Sequence, residues 1–183
     1  RLDDLLPRLL HLAQEVTHSQ GASILLYNEE SDTLEFKLAV NESEDTAETI
    51  LKRRFELKMG EGIAGHVAES RESMIVQDAQ KDDRFSGKAD KMTGFQTKSL
   101  VCVPVVHKED LLGVVQVLNP KDKDFFDSED VAILESFAHL GAVALVRSKL
   151  LEAYIQQERM QVQLDAAARI QSHFLPRLPE LSS

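Results

Sequence analysis

From Asp127 to Pro176 the chain carries an apolar and polar alternation of helical period, with the single Gly141 as its only interruption by glycine or proline. A helix from Ser128 to about Phe174 is roughly 70 Å long at 1.5 Å rise per residue, more than twice the width of a small domain. Such a helix runs on past the globule in which it starts, so the chain is expected to be an input module of a larger protein. The residues Ala166 to Pro179 then read as the entrance to a further domain. A start at Arg1 rather than Met gives the impression of a trimmed N-terminus, with room for an upstream segment.

The residues ahead of that helix have room for one ordinary core. An apolar content of 43% with 28% charged residues belongs to a folded chain rather than a disordered one. The formal charge of −10 works against nucleic acid, whose phosphates need clustered Lys and Arg, and against anionic lipid. No unbroken apolar run approaches the eighteen or so residues of a membrane span. One cysteine forms no internal disulfide, which fits a reducing compartment, and the expected localisation is cytoplasmic.

Leu5, Leu6, Leu9, Leu10, Leu12, Ala13 and Val16 predict an amphipathic helix over residues 1–18. Ala22–Tyr27 and Thr33–Val40 flank a turn-rich Asn28–Asp32 and predict a hairpin. Glu44–Lys52 is polar and helix-prone. Phe55–Lys58 predicts a short strand, Ile63–Ser70 a short helix and Met74–Val76 an extended segment. Asp78–Lys98, rich in Asp, Lys, Ser and Gly, predicts an irregular cover with a short helix. Ser99–Val106 and Leu111–Asn119 are apolar on both faces and predict strands in mid-sheet. Pro104 cannot donate to a sheet ladder, so a bulge or a locally open pairing is expected there. Hairpins framed by helices make the class α+β with an antiparallel sheet.

Several segments, taken in order, carry a family resemblance. Gly60, Gly62, Ile63, Ala64, Gly65, Val67 and Ala68 are followed by Ile75, Asp78 and Ala79, then Asp83, Arg84 and Phe85. Thr93, Gly94, Phe95 and Thr97 come next, then the Pro104 strand, Gly113 to Asn119, and Phe126 with Asp130. This succession resembles the GAF domains, from Ser23 to the mid-140s. The resemblance implies a GAF-like antiparallel sheet flanked by helices, with a sensor domain over 21–146; the amphipathic first helix is expected to be a dimerisation helix over 1–20, and the long helix beyond the domain a coiled-coil linker over 147–175.

It also implies a small ligand, in some members a cyclic nucleotide, between the sheet and its cover. Transferred residue by residue, Ser23 matches a polar position beside the purine. Ile63 and Ala64 match amides at a helix start that face a phosphate. Phe85, Asp90, Thr93 and Thr97 match cover contacts. Ala39 and Val40 stand where guanine-reading members place an aromatic residue and an acid, and Ser86 replaces an aromatic. Asn119-Pro120 replaces an Asn-Lys pair, and Val131 follows Asp130 in place of an acid. Without the acid that reads guanine, tight cGMP binding is disfavoured, because a buried guanine edge would lack its acceptor. Thr93 and Thr97 also read as loop bridges, and Gly60, Gly62 and Gly65 as sites of positive φ and close packing.

The tail Ala168, Ile170, Gln171, Phe174, Leu175, Pro176, Leu178 and Pro179 resembles the lead-in to metal-dependent serine phosphatases that regulate sporulation and stress sigma factors. That resemblance places the start of the phosphatase at 176–183, its Mn or Mg ligands beyond Ser183, and a phosphoprotein as its substrate. The two resemblances together imply a regulatory sensor and dimerisation domain controlling that phosphatase. The alternatives are a cyclic-nucleotide module of a cyclase- or phosphodiesterase-like protein, and a ligand-free interaction domain.

No catalytic grouping is expected in the chain itself. The six histidines lack metal-ligand spacing, and Cys102 lies in a strand interior, away from chromophore attachment. GAF-fold reductases of methionine sulfoxide use several cysteines, where this chain has one. Leu151, Ile155, Glu158 and Val162 follow heptad spacing, and Ala166, Ile170 and Phe174 continue it in steps of four, a stutter. This stripe predicts a parallel homodimer in which a change in the cover shifts the long helices.

Overall fold

The computed structural model describes residues 2–41 and 54–175. The elements run α1 (Leu2–Val16), β1 (Ser19–Asn28), β2 (Thr33–Asn41), β3 (Glu56–Lys58), α2 (Gly62–Ser70), β4 (Met74–Val76), a 3-10 turn (Ala79–Lys81), α3 (Lys88–Thr93), β5 (Leu100–His107), β6 (Asp110–Pro120) and α4 (Ser128–Phe174). The predicted helix over Glu44–Lys52 and the tail from Pro176 lie outside the described residues. The chain divides into two compact units, residues 1–146 and residues 147–183.

Six strands form one antiparallel sheet in the order β3-β2-β1-β6-β5-β4, so the fold is α+β. Period-two alternation sorts the central strands onto two faces. Ala22, Ile24, Val101, Val103, Val105, Val115 and Val117 face α1 and the first part of α4, where Leu6, Leu10, Ala13, Leu134, Ala138, Ala142 and Leu145 bury. Leu25, Leu100, Cys102 and Val114 face α2, meeting Ile63, Ala64, Val67 and Ala68. Both faces being covered explains why β5 and β6 read as continuous apolar runs. Burial among aliphatic side chains pushes the Cys102 thiol far above its usual range, so this cysteine is inert.

The strand expected to be disturbed by proline is disturbed where β4 ends. β4 pairs only with Leu100–Cys102, and β5 shifts register between Val105 and Val106. At Pro104 the strand thus has a neighbour on the β6 side alone, an edge that tolerates proline.

α1 turns Leu6, Leu10 and Ala13 to the sheet and leaves Leu5, Leu12 and Val16 exposed. Its amphipathic face is therefore first of all a wall of the core. α4 opens with a reciprocal cap: Asp130 N–H and Glu129 N–H donate to Asp127 Oδ1, and Asp127 N–H donates to Asp130 Oδ2 at 2.9 Å. Lys123 Nζ closes on Asp130 Oδ2 at 2.6 Å and on Asp127 Oδ2 at 2.9 Å, holding the Asp127 carboxyl below its usual range. The position after Asn119 is proline, yet a lysine three residues later reaches the buried acid at the helix start.

An 18-residue window of α4 reaches a mean hydropathy of 1.4, long and apolar enough by composition to cross a membrane. The sequence expectation counted unbroken apolar runs and passed over this average. Sheet-facing Leu134, Ala138, Ala142 and Leu145 contribute part of that apolarity to the core. In residues 147–175, Leu150, Leu151, Tyr154, Ile155, Met160, Val162, Leu164, Ile170 and Phe174 are all exposed.

Candidate functional site

On the α2 face of the sheet, the cover leaves a pocket, partly open to solvent, with about 90 Å³ of space accessible to water. Strands β1, β2 and β6 make its floor, the first turn of α2 one wall, and the segment from Phe85 to Thr97 its roof.

All eight residues expected to meet a ligand, Ser23, Ala39, Ile63, Ala64, Phe85, Asp90, Thr93 and Thr97, line this one cavity. Their polar atoms are largely engaged. Thr97 donates its N–H to Asp90 Oδ2 at 2.8 Å and its hydroxyl to Asp90 Oδ1 at 2.7 Å. Gln80 Nε2 donates to the Thr97 carbonyl at 2.8 Å. Thr93 Oγ1 donates to the Ala89 carbonyl and accepts from Phe95 N–H. The bridging role read for these threonines in the sequence is what they perform.

The wall at α2 differs. Gly62, at φ 67°, lets the chain swing into the helix under Ser86, whose Cβ stands 3.2 Å from where a glycine Cβ would be. The first helical amides have no intrahelical acceptor, so the Ile63 and Ala64 turn presents N–H groups at the positive end of a nine-residue helix. Glu61, just before it, is ion-paired to Lys88 of the roof and accepts Lys58 N–H at 3.0 Å, which lowers its carboxyl from the usual range. Its negative charge is thereby balanced beside that wall.

Sequence reasoning passed over three phenylalanines and a glutamine. Phe36, Phe55, Phe85 and Phe95, half of the chain's eight phenylalanines, line the cavity, and only Phe85 was expected there. Phe36 and Phe55 pack with ring centroids 5.2 Å apart at 59°. All four rings are half-buried, which leaves apolar faces turned to the void. Gln116, from β6, donates Nε2 to Ser23 Oγ at 2.9 Å, and its carbonyl oxygen has no other partner among the described residues. The signal was present: Gln116 is the one polar residue between Gly113 and Leu118, in a strand whose neighbours are all apolar.

The roof is pinned at its far end by Asn119. Its Oδ1 accepts Lys98 N–H at 2.7 Å and Ser99 N–H at 3.2 Å, and its Nδ2 donates to the Gln96 carbonyl at 2.9 Å and Gln20 Oε1 at 3.1 Å. Among the described residues, no group of three or more His, Cys, Asp or Glu has the geometry to hold a metal ion.

Among proteins of similar sequence is the dual 3',5'-cyclic-AMP and -GMP phosphodiesterase 11 of Drosophila melanogaster, 38% identical over 113 residues, 61% of this chain and 8% of that protein. The probable 3',5'-cyclic phosphodiesterase pde-5 of Caenorhabditis elegans is 27% identical over 162 residues, 86% of this chain and 22% of that protein. The chain thus spans less than a quarter of the length of these relatives. In structure it resembles the GAF domain of a phosphoenolpyruvate-protein phosphotransferase from Coxiella burnetii, with a TM-score of 0.72 at 17% identity over 84% of this chain and 87% of the other. A methyl-accepting chemotaxis protein segment, residues 122 to 287, superposes with a TM-score of 0.69 at 23% identity over 84% and 93%. The sequence model of the GAF domain family matches residues 1–146, and with the curled six-stranded sheet and its covered cavity in agreement, the chain belongs to the GAF domain family.

Proposed function

We propose that this regulatory domain senses an adenine-type cyclic nucleotide in the cavity under α3 and passes the signal through α4 to a C-terminal effector. The observation that carries this reading is the convergence of four phenylalanine rings, a carboxamide and a helix start on one cavity. The rings suit a flat heterocycle, and the amides of the α2 first turn suit a cyclic phosphate. Gln116 offers an acceptor and a donor on one group, the pattern that pairs with an adenine edge. A guanine edge presents two donors and calls for an acid. Asp90, the one acid among the described lining residues, is occupied by Thr97. The names of the relatives, cyclic phosphodiesterases, point to the same ligand class.

Calorimetric titration with cAMP and with cGMP tests this. One cAMP per chain is expected, bound at least tenfold more tightly than cGMP. Gln116→Leu is expected to abolish the preference. Absence of heat with both nucleotides at millimolar concentration would sink the ligand assignment. The second reading, a ligand-free interaction domain, is favoured by the internal satisfaction of Asp90, Thr93 and Thr97, and that empty titration is the result it expects.

The effector in this proposal is a metal-dependent serine phosphatase following Pro176, using Mn or Mg and acting on a phosphoprotein. The support is the run from Ala168 to Pro179. Two copies of the chain join through residues 147–175, whose apolar stripe has no cover within its own unit. Replacing residues 1–145 of the full-length protein by an unrelated dimeriser is expected to abolish control of the phosphatase. Equal activity with and without the replacement would remove the regulatory role.

A further inference from the structure

We infer that Lys88 is the latch of the cavity's roof and its sensor of ligand charge: its ammonium ties α3 to Glu61, and a cyclic phosphate draws it inward to lie between phosphate and Glu61. This role rests on the cyclic-nucleotide reading of the cavity and adds to it the cation that answers the phosphate.

The roof is built to move at that end. α3 lies between two glycines, Gly87 at φ 65° and Gly94 at φ 75°. A Cβ at Gly94 would meet nothing within 4 Å, and one at Gly87 only Phe85 Cε1, at 3.7 Å, so packing clamps neither. Farther along α3, Asp90 is fastened to Thr97 by two hydrogen bonds. The leading residue, Lys88, is fastened across to α2 by its ion pair with Glu61, the residue that precedes the helix. Lys88 lines the cavity and Glu61 does not, so the pair spans the rim.

Two observations make Lys88 free to change partners. Its side chain is 56% exposed, and an ion pair so open to water contributes little and breaks readily. Glu61 keeps a partner without it, because its Oε2 accepts Lys58 N–H at 3.0 Å. The cavity offers the ammonium a stronger attraction. Lys88 is the one cation among the described lining residues, and Asp90, the one acid, is occupied by Thr97. An anion among the phenylalanine rings is less screened than Glu61 is, and attraction at a given distance grows as the surroundings become less polar. Glu61 supplies the complementary reason. Its carboxylate stands just before the first turn of α2 and repels an anion placed there, unless a cation lies between them. The four-carbon stem of lysine, free to turn at each bond, suits that exchange.

Calorimetric titration of the purified chain with cAMP and with adenosine, which has the base and sugar without the phosphate, separates charge from shape. Lys88→Met is expected to weaken cAMP about tenfold and to leave adenosine unchanged. Lys88→Arg keeps the charge and is expected to stay within about threefold of the wild type. Glu61→Gln is expected to act in the opposite direction, tightening cAMP about threefold, which damage to the fold would not do. Without nucleotide, hydrogen exchange over residues 85–95 is expected to accelerate in both Lys88→Met and Glu61→Gln. Equal losses for cAMP and adenosine in Lys88→Met, or unchanged cAMP affinity in both variants, overturn the sensing role and leave the cyclic-nucleotide reading standing. Binding of neither nucleotide to the wild-type chain overturns that reading and the sensing role with it. Exchange that stays unchanged in both variants overturns the latch, whether or not a nucleotide binds.

Discussion

Thr97 occupies both oxygens of Asp90, its N–H on Oδ2 at 2.8 Å and its hydroxyl on Oδ1 at 2.7 Å, and so ties α3 to the chain entering β5. α3 has six residues, too few to hold a helix by its own hydrogen bonds, and none of its side chains is fully buried. The roof over the cavity is therefore held by side-chain geometry. Asp90→Ala leaves a nearly buried hydroxyl and amide without acceptors, at a cost of about 1–3 kcal/mol. Hydrogen exchange over 88–98 is expected to accelerate, with β1 and β6 unchanged. Unchanged protection of that segment would mean that ring packing, not the carboxylate, holds the roof.

How far the sequence foretold this arrangement depended on whether the signal was local. β5 and β6 were legible because a strand covered on both faces has to be apolar at every position, and α4 because nothing in 47 residues stops a helix. The lining residues carried by motif, such as Ile63 and Thr97, were legible through family resemblance. Phe36 and Phe55 were not, because their approach depends on how β2 and β3 pair, and an isolated phenylalanine in a strand pattern reads as core. Lys123 was hidden for the same reason. Its attachment to Asp130 depends on the path of the loop after Pro120, which spacing does not state.

Asn119 offers a way to separate backbone from side chain. It sits at φ 54°, where asparagine and glycine are tolerated best, and its carboxamide makes four hydrogen bonds. Asn119→Gly keeps the backbone conformation and removes all four bonds, so a loss of about 2 kcal/mol in urea unfolding is expected. Asn119→Asp retains the acceptor for Lys98 and Ser99 but sets a carboxylate against the Gln96 carbonyl and Gln20 Oε1. It is expected to be at least as damaging. Equal stability of the glycine variant and the wild type would show that the turn alone positions the roof.

Stability near Arg84 carries a pH signature. The Arg84 guanidinium, with two nitrogens on Asp82 at 2.9 and 2.7 Å, brings the Asp82 carboxyl down to about 2 from an ordinary 3.8. A depressed carboxyl contributes stability that is present above the unfolded value and lost as pH falls through the folded one. The difference in melting temperature between wild type and Asp82→Asn is thus expected to be constant above about pH 5, to shrink below about pH 4 and to vanish only once the pH is well below about 2. The pair is partly open to water, so its contribution is modest. A difference that does not change across that range would show that the pair contributes nothing through its charge.

Two glycines should respond to alanine in opposite directions. At Gly113 an added Cβ would stand 2.1 Å from the Leu25 carbonyl oxygen, and both partners are backbone in the central β1–β6 pairing. Neither strand can retreat without losing ladder bonds on its other side, to β2 and to β5. Gly113→Ala is therefore expected to cost about 3–5 kcal/mol or to prevent folding. Gly141, in the interior of α4, has helical backbone and meets only Leu6 Cδ2, at 4.0 Å. There an alanine fits, touches Leu6 and removes the entropic cost of a mid-helix glycine, so Gly141→Ala is expected to stabilise by about 1 kcal/mol. Urea unfolding of the two variants beside the wild type decides it. A destabilised Gly141→Ala would show that α1 and α4 must approach more closely than 4.0 Å, and that the glycine serves their packing.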